Sequence, residues 1–217
     1  LDAGARICEM HLALLLATLA RADVALNSLF SDGMILQTNF EYGARSFLYG
    51  TADPGETVTV TGVTWHDEDA VSAVADARGA WSVQFFPVTA SESAYYNLTV
   101  SGATSSVVLR DVRFGDVYVC SGQSNMAIEM AYIADADAQI AAADATARGI
   151  SLFAVRTDVD GSATPLGEFP TAGAWEASTS AAVANFSAVC YLAAKEMLRG
   201  GDVRPIGLIW SAVGGTC

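Results

Sequence analysis

The first half of the chain alternates apolar and polar positions with a period of two. Between about Leu26 and Arg110 this alternation recurs in short runs, of which Thr57–Thr61 is the clearest. Turn-forming residues such as Asp53-Pro54-Gly55 separate the runs, and no helical period interrupts them. Several short strands at this spacing predict a β-sandwich or barrel-like module.

Beyond Arg110 the pattern changes to alternating strands and helices, which predicts a parallel sheet. The apolar run Val117–Cys120 is typical of a buried strand, and Gly122 permits a tight turn after it. Apolar residues from Met126 to Ile133 then recur at helical spacing. We therefore expect a strand, a glycine turn and a helix in succession.

Further elements of this α/β half follow from the same patterns. Residues 150–155 and 206–210 predict strands, residues 131–148 predict helix or helix broken by loops, and residues 157–171 predict a surface loop. A helix beginning at a cap from Asn185 or Ser187 would place these side chains on one apolar face: Phe186, Val189, Cys190, Ala193, Met197 and Leu198. Cys190 is expected to be a small core residue there.

The N-terminal region predicts export. An apolar run from Leu12 to Leu19 precedes Ala20-Arg21-Ala22, which is typical of a secretory signal peptide that starts at Met10 and is cleaved before Asp23. An ordinary buried helix is the alternative, and the run is too short to span a bilayer, which takes roughly 20 apolar residues. We expect a secreted or lysosomal protein without a membrane anchor.

Sequons and cysteines add to this picture without deciding it. Two candidate glycosylation sites, Asn97 and Asn185, fit a secretory route. Loss of the signal region would leave Cys120, Cys190 and Cys217, an odd number that indicates a missing partner or a free thiol. The sequence leaves the pairing of these cysteines open.

Composition and charge exclude some classes of function. Hydrophobic residues make up 52% of the chain and charged residues 16%, as in a folded globular protein. The formal net charge of −13 comes with only 11 lysines and arginines. Nucleic acids and anionic membranes bind clustered cations, so neither is an expected partner.

Two glycine-containing turns are candidates for chemistry. Ser124 lies where the predicted strand turns into a helix, where unpaired N–H groups and the helix dipole favour negative charge. The alternative is that Ser124 only caps the helix. Gly214 and Gly215 follow the strand over residues 206–210, and glycine N–H groups at such a place could hold an oxyanion, or form only a tight turn.

Residues 114–126, reading Phe-Gly-Asp-Val-Tyr-Val-Cys-Ser-Gly-Gln-Ser-Asn-Met, resemble the first sequence block of the sialate O-acetylesterases, which are SGNH-type hydrolases. Residues 29–37 and 50–55 resemble their β-rich N-terminal module, although a turn and a strand edge explain Asp32 and Gln37 better than a site does. The resemblance implies an incomplete flavodoxin-like sheet in which Ser124 is the nucleophile. It also implies that the N–H groups of Ser124 and Gly215, with Gly214 as the alternative, form the oxyanion hole.

A serine hydrolase needs a base, usually histidine. This chain has His11, in the predicted signal peptide, and His66, whose acidic surroundings could suggest a metal or acid–base role but are better explained by a solvated loop. In the resembled family, an aspartate and a histidine lie near the C-terminal end of the hydrolase domain. We therefore expect an N-terminal fragment of such an enzyme, inactive alone.

The expected organisation is a signal region at 1–22, a β-rich module at 23–110 and the first part of the hydrolase domain at 111–217. The expected function is the hydrolysis of O-acetyl esters on sialic acid or related sugars, without a metal or cofactor. The alternative is a catalytically inactive carbohydrate-binding protein of the same fold.

Overall fold

The computed structural model describes residues 23–38, 43, 45–62, 70–85, 88–91, 93–155, 164, 173–200 and 204–215. The predicted signal peptide, His66 and nearly all of the predicted loop at 157–171 lie outside the described residues. The strands are β1 (Ala25–Leu26), β2 (Ile35–Gln37), β3 (Phe47–Thr51), β4 (Thr57–Thr61), β5 (Val71–Val74), β6 (Ala80–Gln84), β7 (Tyr96–Ser101), β8 (Ser106–Gly122), β9 (Ile150–Ala154), β10 (Glu176–Ala177) and β11 (Ile206–Ala212). The helices are α1 (Ser124–Ala127), α2 (Ala136–Ala141), α3 (Ser180–Ala184) and α4 (Ala188–Arg199), with 3-10 turns at Met130–Tyr132 and Ala143–Thr146.

The predicted alternation in the first half is present in the structure. Val58 and Val60 of β4 are fully buried, while Thr57 and Thr61, at the two ends of the strand, face solvent. A three-stranded sheet in the order β1-β3-β6 and an eight-stranded sheet contribute to one apolar core. In the described part of residues 23–110, only strands and turns occur.

The eight-stranded sheet joins the two halves of the chain through the 17-residue strand β8. Its order is β10-β9-β11-β8-β7-β4-β5, with β2 also paired to β8. The first part of β8 runs antiparallel to β7, and its last part runs parallel to β11. The sheet is therefore mixed, and the expected boundary between residues 110 and 111 falls within one strand.

A bulge marks the point where β8 changes partners. Asp111 has a φ of +55°, and its N–H donates to the side-chain oxygen of Asn97 at 3.2 Å. The pairing of β7 with β8 shifts register at the same place, between Tyr96 and Leu98. The change of pattern near Arg110 thus coincides with a local irregularity, while the strand itself continues.

Asp32 and Gln37 hold neighbouring backbone. The carboxylate of Asp32 accepts a hydrogen bond from the N–H of Arg110 at 2.7 Å. The side-chain oxygen of Gln37 accepts from the N–H of Val117 at 2.7 Å, directly beyond the end of the β2–β8 pairing. These contacts are those of a turn and a strand edge.

The helix α4 covers one face of the parallel strands, but its buried face differs from the predicted one. Ala188, Cys190, Tyr191 and Ala194 are buried, whereas Val189 and Met197 are 49% and 42% exposed. The two exposed side chains lie on the flank of α4 that faces the last residues of β8. This flank of α4 is only partly covered in the described part of the chain. The apolar pattern therefore predicted a wider buried face than the helix has there.

Candidate functional site

Ser124 is the first residue of α1, and one residue, Gln123, separates it from the end of β8. Gly122, the last residue of β8, has a φ of +142°, a backbone conformation that residues with a Cβ atom rarely adopt. The side chain of Ser124 is exposed, and the preceding Gln123 makes no capping hydrogen bond. The strand–turn–helix succession predicted from the sequence is therefore present.

The helix itself is much shorter than predicted. It has four residues, and Ile128 then returns to an extended conformation. The carbonyl of Ile128 accepts from the N–H of Ala188 at 2.9 Å, and Glu129 forms a β-bridge with Ser187. The expected helix through Ile133 was wrong because the start of α4 provides hydrogen-bond partners that an extended segment can reach.

Trp210 and Ser187 hold α1 against the rest of the domain. The indole N–H of Trp210 donates to the carbonyl of Met126 at 3.0 Å, and its ring packs edge-on against Phe186 at 5.5 Å between centroids. The hydroxyl of Ser187 donates to the sulfur of Met126 at 3.4 Å and caps α4 by accepting from the N–H of Cys190. The short helix that carries Ser124 is thus fixed by contacts from β11 and α4.

An open cavity of about 290 Å³ lies in front of Ser124. Its described lining consists of four consecutive residues of the turn and α1, with one residue of α4: Gln123, Ser124, Asn125, Met126 and Val189. Ser124 therefore borders a space that a small molecule can enter.

Gly214 and Gly215 follow the end of β11, next to the end of β8. Ala212 pairs with Gly122, and the N–H of Val213 donates to the carbonyl of Gly122 at 3.2 Å. The two turns therefore leave the sheet at neighbouring points, at the carboxyl ends of adjacent parallel strands. Gly215 has a φ of +82°, and neither glycine lines the cavity in front of Ser124.

A disulfide bond joins Cys120 of β8 to Cys190 of α4, with 5.9 Å between the Cα atoms. Cys190 is buried in the apolar core as expected, and it also forms a disulfide bond, which the sequence left open. The sequence held one signal for this pair: Cys120 ends a predicted buried strand and Cys190 lies on the predicted apolar face of a helix. Spacing alone could not distinguish this pair from one that includes Cys217.

The remaining predictions concern the histidines, a metal site, a membrane-spanning helix and the glycosylation sites. His11 and His66 lie outside the described residues. Among the described residues, no cluster of three or more histidine, cysteine, aspartate or glutamate side chains could hold a metal ion. Within the same part of the chain, no helix is long and apolar enough to cross a membrane. The side chains of Asn97 and Asn185 are both exposed.

Comparison with known proteins identifies relatives of one kind. No family model matches the sequence. Sialate O-acetylesterase from Mus musculus is 30% identical over an alignment of 207 residues that covers 87% of this chain and 36% of the relative. The enzymes from Rattus norvegicus and Homo sapiens are 31% and 28% identical, each over 87% of this chain and over 35% and 37% of their own length.

A solved structure agrees with these sequence matches. The crystal structure of a carbohydrate acetylesterase from Xanthomonas citri superposes with a TM-score of 0.78 and 30% identity, covering 89% of this chain and 41% of that one. The chain therefore spans only somewhat more than a third of the length of its relatives. Over nearly all of its own length, this chain is related to the sialate O-acetylesterases, as the residues around Ser124 predicted.

Proposed function

We propose that this chain forms the first part of a carboxylic-ester hydrolase that removes O-acetyl groups from sialic acid or related sugars. The observation that best supports the proposal is the position of Ser124, exposed to a cavity after a glycine turn at the carboxyl end of a central parallel strand. The acetylesterases among its relatives support acetylated sugars as the proposed substrate class. In this proposal, residues from 111 onwards belong to an SGNH-type domain, and the strands before them, which come from both sheets, form its β-sandwich-like module.

The proposed reaction is acyl transfer through Ser124. Its hydroxyl oxygen attacks the acetyl carbonyl, and its proton goes to a base outside the described residues. The N–H groups of Ser124 and Gly215, or of Gly214 in its place, would hold the oxyanion of the tetrahedral intermediate. The sugar oxygen leaves with a proton, and water then hydrolyses the acetyl-enzyme to acetate. No metal or cofactor enters the proposed mechanism.

The size of the cavity suits a small group. At about 290 Å³, it lies near the lower limit of ligand pockets, which measure roughly 300–1,000 Å³. An acetyl ester and part of one sugar ring would fit there. Because the chain has a formal net charge of −13, we propose glycans and not nucleic acids as its partners.

We also propose that the protein follows the secretory pathway, to the cell exterior or the lysosome. The disulfide between Cys120 and Cys190 supports this proposal, since such bonds persist in oxidising compartments. Asn97 and Asn185 are the candidate glycosylation sites. N-terminal sequencing of protein from a secreting host should begin at Asp23, and a product that retains the apolar run from Leu12 would contradict the proposal.

Ser124→Ala tests the function in the full-length gene product. We expect release of acetate from an O-acetylated sugar to fall by about a thousandfold or more, while the unfolding midpoint stays unchanged because the hydroxyl is exposed. A serine-directed phosphonate should label Ser124 in the parent protein. Ser121→Ala is the matched control, since Ser121 is also exposed and lies three residues earlier.

Each outcome of this experiment decides between functions. Retained activity in Ser124→Ala would refute the assignment of the nucleophile. A parent protein that binds the O-acetylated sugar but releases no acetate would favour the alternative, a catalytically inactive carbohydrate-binding protein.

A further inference from the structure

The segment from Cys120 to Ile128, here called the serine loop, is attached at both ends to the start of α4. At its beginning, the disulfide joins Cys120 to Cys190. At its end, the carbonyl of Ile128 accepts from the N–H of Ala188 at 2.9 Å. Ser124 therefore lies midway along a short loop whose two ends are held by residues only two positions apart in one helix.

The middle of the serine loop contacts the same turn of α4. Met126 accepts the hydroxyl hydrogen bond of Ser187, and Val189 lines the cavity in front of Ser124. Four consecutive residues at the start of α4 therefore meet the loop. Ser187 contacts its middle, Ala188 its end and Cys190 its beginning, and Val189 lines the cavity in front of Ser124. The position of Ser124 is defined largely relative to this single helical turn.

The beginning of the loop has little other lateral support. The last residues of β8 pair with β11 along one edge. Beyond Val117, whose N–H is bound by Gln37, no strand in the described part of the chain pairs with the opposite edge. Val119 in this segment is also 66% exposed. On the side of α4, the covalent bond from Cys120 is the attachment that fixes this end of the strand.

We infer that the Cys120–Cys190 disulfide is a positioning element for Ser124, an inference that rests on the proposed esterase function. The bond keeps the end of β8 against the first turn of α4, so that the glycine turn presents the serine hydroxyl at a fixed place in the cavity. Without it, the far end of the loop and the contacts of Met126 remain, but the near end is held by β11 alone. Cys120 and Cys190 do not touch substrate in this arrangement.

A double variant, Cys120→Ala with Cys190→Ala, tests this role in the full-length gene product. Its matched control is Leu152→Ala, which removes apolar volume from the same core in a residue of β9 outside both the serine loop and α4. Hydrogen exchange is followed at two sets of amides. One set, the loop amides, reports on the half of the loop next to Cys120: these are Ala127 and Val213, whose N–H groups donate to the carbonyls of Gln123 and Gly122. The other set reports on the neighbouring strand, residues 207–209.

In the double variant, we expect the loop amides to exchange at least about tenfold faster relative to the strand amides than they do in the parent. Leu152→Ala should accelerate both sets in similar proportion. For acetate release, the double variant should lower kcat by about tenfold to a hundredfold and change KM by less than about threefold, because misplacement of the nucleophile affects the chemical step. If the double variant does not accumulate, reduction of the folded parent by a water-soluble phosphine provides the same comparison.

Unchanged exchange in the loop, or equal acceleration of both sets in the double variant, would overturn the inference and leave the disulfide a general stabiliser. An unchanged kcat beside a loosened loop would overturn it as well. A parent protein that releases no acetate would refute the proposed function instead, and the exchange comparison would still decide whether the disulfide holds the serine loop.

Discussion

Substitution of Gly122 by alanine should lower the free energy of unfolding because of the backbone conformation at this position. A Cβ atom built on Gly122 would lie 3.5 Å from the Cβ of Met126, which is an ordinary contact and adds no steric penalty. The φ of +142°, by contrast, belongs to a region that is sparsely populated by residues with side chains. Holding alanine there costs about 1–3 kcal/mol, which we expect as the loss in the free energy of unfolding.

The two glycines of the adjacent turn are graded controls. An added Cβ on Gly214 or on Gly215 would meet nothing within 4 Å, so neither substitution introduces a clash. Gly215 has a φ of +82°, and alanine there should cost about 1 kcal/mol or less, since the exposed turn is able to relax. Gly214 lies outside the positive-φ region, so Gly214→Ala should stay within about 0.5 kcal/mol of the parent.

Urea unfolding of the three variants measures these differences, with the midpoint as the primary reading and the slope as a check that the unfolded states are comparable. The expected order of destabilisation is Gly122 first, then Gly215, then Gly214. The rate at which a phosphonate labels Ser124 in the full-length gene product gives a second reading, and it should fall most in Gly122→Ala if the turn distorts. A Gly122→Ala variant as stable as Gly214→Ala would refute the claim that β8 needs glycine at its end.

Three other predictions concern alkaline stability, α1 and the isolated chain. Burial raises the pKa of Tyr191, its hydrogen bond with Thr146 lowers it, and the charge of Asp144 raises it further, so the folded state favours the neutral phenol. The stability that this preference contributes is fully present below the ordinary tyrosine pKa of about 10, and it is lost as the pH rises through the pKa of the folded state. The unfolding midpoint should therefore fall less above pH ~10 in Tyr191→Phe than in the parent. Trp210→Phe removes the hydrogen bond to Met126 and should cost about 1 kcal/mol and slow labelling of Ser124, whereas Trp175→Phe removes the equivalent bond to Leu29 and should change stability without affecting labelling. Residues 23–217 expressed alone should release no acetate and should scatter light as aggregates that form through exposed Tyr118, Val119 and Val189, and a soluble monomer with enzyme-like turnover would contradict this.

The sequence predicted elements whose pattern reflects their immediate environment. The alternation of valine and threonine in β4 predicts a strand because one of its faces packs in the core and the other meets solvent. The turn that carries Ser124 was predicted from the apolar run before it and from Gly122, since both features belong to the same few residues that form the turn, whereas the role of Ser124 as nucleophile rests on the resemblance.

What the sequence did not predict depends on residues far apart along the chain. The end of α1 is set by Ala188 and Ser187, about 60 residues beyond Ile128, and no local pattern encodes those contacts. The pairing of Cys120 with Cys190 spans 70 residues. The burial of Tyr191 instead of Val189 depends on which flank of α4 the neighbouring strands cover, and helical periodicity does not carry that information.

The continuity of β8 limits how this protein can move. Domains that open and close around a ligand need a few residues whose backbone angles change, and these usually lie in linkers between separate cores. Here a single hydrogen-bonded strand runs from the β-rich half to the turn before Ser124, paired with β7 on one side of the bulge and with β11 on the other. A hinge at this junction would break the sheet, so we do not expect access to Ser124 to change by rotation of one described half against the other.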